Sequence, residues 1–430
     1  MNRLFFCINS SLFQTIEKTK KGSFFMSILR RWLGNVEFSK DLLLLLLIGG
    51  IYSLSISLSN TFVNVYLWKQ TGKYFDLAIY NLAVVVLQPL TFIVAGRWAK
   101  KIDRVTVLRM GVIFLALFYI TVLLSKNVAQ DYLILLGGLL GIGYGFYWLA
   151  FNVLTFEITE PETRDFFNGF LGALNSIGGM IGPVIAGFII SRLVNGGYTI
   201  VFTLSLVLFA IAVVLSFRLE RRPSHGNYVM MKVLQERKSN HNWKRITNAH
   251  FMKGLRDGTF VFIISVFVFI STGSEFSLGT FSLINSCFQF IGYTLVGKYI
   301  KWHHRKRAIL LGGLLLYVAI FLFVFDVTYP RLLIYAFTIA IAYPILLVPL
   351  NSMTYDIIGR AWKAAEARIE YIVVLELFTN AGRVVSILLF IFAITFFNKE
   401  QSIPILLLFI GAGHLCISLF IRKIHTNAVE

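Results

Sequence analysis

The sequence predicts an all-α integral membrane protein, with twelve transmembrane helices in two six-helix repeats. Three observations predict it. First, the 430 residues are 57% hydrophobic and 14% charged, and the apolar residues run continuously instead of alternating. Runs of roughly 20 such residues cross a bilayer as helices, whereas barrel strands alternate. Second, the chain repeats itself near half its length. The loop GRWAKKIDRVTVLR, from Gly96, returns as GKYIKWHHRKRAIL, from Gly297, an offset of 201 residues. Third, the basic residues gather on one side of the spans so defined.

The apolar runs place spans at about 42–66, 75–96, 107–125, 131–156, 166–191, 198–218, 258–274, 277–297, 308–326, 332–357, 370–396 and 402–421. The repeat extends beyond the loop at the same offset. Phe75, Leu77, Leu82, Gln88 and Gly111 meet Phe276, Leu278, Leu283, Gln289 and Gly312. At an offset of 199, Tyr144, Asn152, Thr155, Glu157 and Ile158 meet Tyr343, Asn351, Thr354, Asp356 and Ile357. A run of matches in one order is the mark of two copies of one membrane unit.

The formal net charge of +19 raises nucleic acid as a partner, and its placement argues against one. With both termini inside, Lys69, Lys73, Lys126, Arg192, Arg331 and Lys399 fall outside, Arg383 lies in a span, and the other 33 of the 40 Lys and Arg face inward. This is the positive-inside pattern, so the expected home is the bacterial cytoplasmic membrane with both termini cytoplasmic. The expected domains are a cytoplasmic tail 1–40, a six-helix bundle 41–218, a basic cytoplasmic linker 219–257, a second bundle 258–422 and a short tail 423–430. The lipid bilayer is the expected partner, nucleic acid is not, and the chain is expected to act as a monomer. Cys7, Cys287 and Cys416 are far apart, and the seven histidines lack metal-ligand spacing. No disulfide, metal site or cofactor is expected.

Polar residues within spans mark candidate sites, because a polar stripe in hydrocarbon must face protein or water. Ser53, Ser57, Asn60 and Asn64 share one face of the first span. Asn81 and Gln88 share a face of the second, Asn285 and Gln289 one of the eighth. Asn152 and Asn351 are repeat partners in the fourth and tenth spans. Each stripe fits either interhelical hydrogen bonding or the lining of a central pathway. The eleventh span carries Glu376, Asn380 and Arg383 at i, i+4 and i+7. An acid, an amide and a base on one face fit a proton-carrying carboxylate beside a substrate-binding cation, or a structural pair holding helices together. Outside this span, no other shows two ionisable groups well inside its apolar run. Glu275, at a span end, is expected in solvent.

The loop at Gly96 resembles the cytoplasmic-loop signature of the major facilitator superfamily, G-x-x-x-D-[RK]-x-G-[RK]-[RK], and the likeness covers nearly the whole chain. Gly96, Lys101 and Arg104 match, while Lys100 stands where the Asp falls, Asp103 where a Gly falls and Val105 where a base falls. The resemblance implies a conformational gate, in which Gly96, Lys101, Asp103 and Arg104 meet the charged ends of neighbouring spans. Glu157, Glu162 and Arg164 are candidates for those ends, and Gly297, Asp356 and Arg368 are the second-half equivalents. The fourth span keeps Gly141, Gly143 and Gly145 but has Gly137 where the family often carries an Arg linked to protons.

Gly169, Gly178, Gly182, Pro183 and Gly187 fit G-x8-G-x3-G-P-x2-G-G, with Ala186 for one Gly. This resembles the signature of antiporter-type members. The second half keeps only Gly382, opposite Gly178, so bulk at Gly182 is expected to do more harm than bulk at Gly382. The resemblance implies a secondary transporter of a small-molecule substrate working by alternating access, with proton-driven export as the first reading and a nutrient importer or facilitator as the alternative. A polytopic membrane enzyme is the reading from another class, and it leaves the twofold repeat unexplained. No phosphate-binding G-x4-G-K-[ST] motif supports ATP drive within the chain.

Overall fold

A computed structural model describes residues 40–158, 161–193, 196–220 and 227–424. All regular structure among these residues is helical. The two expected tails lie almost wholly outside them.

The first half contains α1 (Lys40–Thr71), α2 (Tyr74–Lys101), α3 (Arg104–Ser125), α4 (Leu133–Ile158), α5 (Pro161–Arg192) and α6 (Gly197–Ser216). A short helix, α7 (Met230–Gln235), follows. The second half contains α8 (His241–Thr272), α9 (Glu275–Tyr299), α10 (Arg305–Val318), α11 (Tyr329–Gly359) and α12 (Arg368–Phe396). Its last crossing is made of α13 (Lys399–Gly411) and α14 (Gly413–Ile421).

Ten of these units are long and apolar enough to cross a membrane, α13 and α14 counting as one. The remaining two, α9 and α10, complete the twelve. Serine, threonine, asparagine and glutamine dilute α9, while α10 begins with Arg305, Lys306 and Arg307 and tightens after Val318 into a 3-10 turn, Ala319–Leu322. Their packing identifies them. The pairs α1 with α5, α2 with α4, α3 with α4 and α3 with α6 recur as α8 with α12, α9 with α11, α10 with α11 and α10 with α14.

The repeat reaches single atoms. Gly72 ends α1 at φ 60° and Gly273 ends α8 at φ 63°, a conformation glycine adopts without steric cost. Gly72 N–H bonds Trp68 O at 2.8 Å, and Gly273 N–H bonds Phe269 O at 2.7 Å. A Cβ on Gly111 would lie 2.4 Å from Tyr147 N, and one on Gly312 would lie 2.7 Å from Leu346 N. Both glycines let the third helix of a half press backbone to backbone on the fourth.

The seventh crossing corrects one expectation. α8 begins at His241, so 241–257, expected in the linker, is helix. Lys244, Arg245, Lys253, Arg256 and Asp257 lower the mean hydropathy of this stretch and hid it. Its spacing is nevertheless helical: Trp243, Thr247, His250, Gly254 and Asp257 recur on one buried face. Asn240 caps it, its side chain accepting Trp243 N–H at 3.0 Å. The preceding segment folds back on the bundle, where Trp243 Nε1–H donates to Val233 O at 3.1 Å.

The halves meet along two seams, α5 against α9 and α2 against α12. The basic loops lie at one end of the molecule, termed the basic face below. The opposite end is the far face.

Candidate functional site

Between the halves lies a cavity of about 410 Å³. The first half supplies Asn60 and Asn64 from α1, Tyr80, Asn81 and Gln88 from α2, and Tyr144, Trp148 and Asn152 from α4. The second half supplies Asp257 from α8 and Glu376 and Arg383 from α12. One wall is thus aromatic and amide, the other charged. On the neutral wall Asn81 Nδ2 donates to Asn64 Oδ1 at 2.9 Å and to Leu77 O at 2.8 Å. On the charged wall Asn380, buried behind the cavity, links its neighbours. Its Nδ2 donates to Glu376 Oε2 at 3.4 Å, and its Oδ1 accepts from Arg383 at 3.2 Å. Arg383 Nε is buried and has no hydrogen-bond partner among the described residues. The backbone under Arg383 is fixed by close packing, since a Cβ on Gly258 would lie 2.6 Å from Arg383 O.

Of the pathway residues expected from sequence, Asn60, Asn64, Gln88, Asn152, Glu376 and Arg383 come together here. Gln289 and Asn351 do not. Gln289 is half-buried on α9, and Asn351 is exposed on α11. Asp257 was missed because it lay in the expected linker, as did Arg256 beside it. Two ionisable groups therefore sit inside a span other than the eleventh.

The gate residues divide. Lys100, where the family motif has an acid, reaches Glu370 Oε1 at 2.5 Å and two carbonyls, Glu366 O at 3.0 Å and Asn227 O at 3.2 Å. Val229 N–H donates to the same Glu370 oxygen at 2.9 Å. This junction joins α2, α12 and the linker. A Cβ on Gly96 would lie 2.9 Å from the Tyr228 hydroxyl and 3.2 Å from Val373, so its smallness permits that approach. Asp103 caps α3 instead, accepting Val105 N–H and Thr106 N–H at 3.1 Å each. Lys101 is exposed.

Arg104 pairs with Glu157 at 2.7 Å, and Arg305 with Asp356 at 2.6 Å. These are the same contact in the two repeats. Arg368 lines a second cavity, of about 550 Å³, on the basic face with Lys100, Arg104 and Glu157. The side chains of Glu162 and Arg164 and the surroundings of Gly169 and Gly297 lie outside the described residues.

At the far face Glu275 is buried, not solvated: Lys69 Nζ lies 2.8 Å from it and the Tyr198 hydroxyl donates at 2.9 Å. The α5 glycines serve two contacts. Cβ atoms on Gly178 and Gly182 would meet Ser53 Oγ at 3.0 Å and Ser57 Cβ at 2.9 Å on α1. One on Gly187 would meet Glu275 O at 2.6 Å, and Pro183 O lies 2.5 Å from the Cβ position of Gly279. Gly382 is tighter still, its Cβ position 2.1 Å from Phe251 O. The second-half glycine is therefore not the freer of the two.

A twelve-helix twofold bundle around a polar cavity defines a multi-pass membrane transporter. The profile of the Major Facilitator Superfamily matches residues 45–365, and the chain belongs to that family. The uncharacterized protein YqgE of Bacillus subtilis (strain 168) is 60% identical over 406 residues, covering 94% of both chains. An uncharacterized protein in the sodM 3' region of Geobacillus stearothermophilus is 67% identical over 178 residues, 41% of this chain and 83% of that protein. Among solved structures, the human organic anion transporter MFSD10 (TETRAN) superimposes with a TM-score of 0.64, over 88% of this chain and 98% of that one. Their sequence identity of 14% makes this a likeness of fold alone.

Proposed function

We propose that the protein exports a small organic solute across the cell membrane in exchange for protons, the two halves rocking about the central cavity. The observation that carries this reading is the charged wall: Glu376 and Arg383 face one cavity and share Asn380. Intramembrane ionisable groups are costly and mark relays or binding sites. Glu376 is the proton carrier and Arg383, with no ion pair among the described residues, receives an anionic group of the solute. The aromatic wall of Tyr80, Tyr144 and Trp148 receives its apolar body. The basic face lies in the cytoplasm by the positive-inside rule. The glycine pattern of α5, similar to that of antiporters, supports export over import.

Proteoliposomes carrying an interior pH dye test this with a panel of organic anions. Each compound is added against an imposed pH gradient. At least one is expected to dissipate the gradient with the parent protein. Glu376→Gln should abolish the dissipation but keep downhill exchange of the same compound, and Arg383→Ala should weaken its binding. A compound that equilibrates with no change in interior pH would make the protein a facilitator.

A further inference from the structure

The second half contains an ionisable cluster that the proposed carrier does not use. Asp257 opens onto the cavity, and His414 of α14 stands behind it, fully buried. His414 Nε2 lies 3.3 Å from Asp257 Oδ1. The Tyr343 hydroxyl donates to Asp257 Oδ2 at 3.4 Å. Arg256 is close but committed elsewhere: its NH1 is 3.7 Å from Asp257 Oδ1, while its NH2 donates to the Tyr335 hydroxyl at 2.9 Å. Its guanidinium also lies over the Phe260 ring at 4.3 Å. The carboxylate is therefore not clamped in a two-pronged arginine pair. His414 is half-engaged too, with neither ring nitrogen aligned in a hydrogen bond.

The first half shows that helix packing does not need these charges. There α1 meets α6 as α8 meets α14, and neutral groups make the contact. Ser55 Oγ donates to Ser205 O at 2.9 Å, and Ser205 Oγ donates to Ser55 O at 3.1 Å. Ser55 and Arg256 are one repeat offset apart, and Asp257 follows. Buried ion pairs are poor stabilisers compared with apolar or neutral replacements. An acid–imidazole pair at this one place, with its acid on the cavity, thus calls for a role beyond packing.

We propose that Asp257 and His414 form a proton-binding pair, filled from the cavity through Asp257, as a second titrating site beside Glu376. Its part in coupling rests on the proton-driven reading above. Hydronium in the cavity gives a proton to the pair and leaves as water. The pair changes from net −1 to neutral, with the proton on Nε2 or on the carboxyl. Release to the cavity reverses the step. The titratable and charged groups around it are His250, Lys253 and Arg256 on α8 and Tyr335 and Tyr343 on α11, with Glu376 and Arg383 of α12 on the same cavity. The facing helices α1 and α2 bring uncharged Asn60, Asn64, Asn81 and Gln88. Arg256 remains charged throughout, so proton uptake leaves the cluster with an uncompensated positive charge, which favours an anionic solute in the cavity.

The full-length protein in lipid nanodiscs, with its histidines isotope-labelled, tests the pair by NMR titration with no solute or gradient present. His414→Asn assigns the signal. The His414 imidazole is expected to titrate, and Asp257→Asn to move its midpoint down by about one pH unit or more, because the imidazolium loses its counterion. A His414 signal that stays in one state across the titration in the parent would overturn the pair, and this readout needs no variant to fold. Gradient dissipation that Glu376→Gln abolishes, with His414 silent, would sink the pair and leave the exporter reading standing. A titrating His414 in a protein that dissipates no gradient would sink the coupled reading and leave the pair as a proton site.

Discussion

Lys100 Nζ lies 2.5 Å from Glu370 Oε1, and the two side chains are only 7% and 0% exposed. They come from different halves, 270 residues apart. A pair so buried is destabilised strongly when one partner is removed, by about 3–5 kcal/mol, because the other charge is left uncompensated. Glu370→Gln should therefore open the basic face. In a background lacking the native cysteines, a cysteine at Asn64 should react with a thiol reagent at least about tenfold faster in Glu370→Gln, a shift of about 1.4 kcal/mol or more. Unchanged reactivity would show that the pair does not hold the halves together. The swap Lys100→Glu with Glu370→Lys should restore part of the protection.

Orientation is tested by exposed serines at the two ends. Ser239 lies on the basic face and Ser191 near the far face. An impermeant thiol reagent applied to intact cells should label Ser191→Cys and spare Ser239→Cys until the membrane is permeabilised. Labelling of Ser239→Cys from outside would invert the topology.

The glycine contacts give an ordered pair of outcomes. The Cβ of Gly182→Ala meets Ser57 Cβ at 2.9 Å, whereas that of Gly382→Ala meets the carbonyl of Phe251 at 2.1 Å. Both positions face the backbone of a neighbouring helix, Gly182 with Leu58 N at 3.0 Å, so the deeper overlap at Gly382 decides the order, overpacking costing about 1–3 kcal/mol. Gly382→Ala should have the lower thermal midpoint in detergent. A lower midpoint for Gly182→Ala would restore the expectation drawn from the sequence motif.

The repeat-related pairs Arg104–Glu157 and Arg305–Asp356 are partly exposed, with acids 28% and 44% accessible. Exposed pairs contribute about 0–1 kcal/mol. Glu157→Gln and Asp356→Asn should each leave the thermal midpoint within about 2 °C of the parent. A larger drop for either would mark it as a structural tie and not a solvated helix end.

What the sequence revealed follows physical range. The offset between Gly96 and Gly297 predicted positions that recur in the structure to the level of capping bonds, because both copies solve the same local packing problem. The Asn64, Gln88 and Glu376 faces were legible because helical spacing fixes which residues share a side. The partner of Lys100 was not, because nothing local ties α2 to α12. Asp257 was hidden for a different reason. Hydropathy averages over the whole helix, and five charged residues between Lys244 and Asp257 outweighed the buried face of Trp243, Ile246 and His250.

The two seams between the halves differ in kind. At the far face, Gly187 and Gly279 put backbone against backbone, and the Lys69–Glu275 pair that joins the halves beside them keeps its ammonium half exposed. At the basic face, motion requires a buried ammonium and carboxylate to part. In the proposed rocking, parting the basic face thus strips both charges of a dry pair, while parting the far face returns an already wetted ammonium to water.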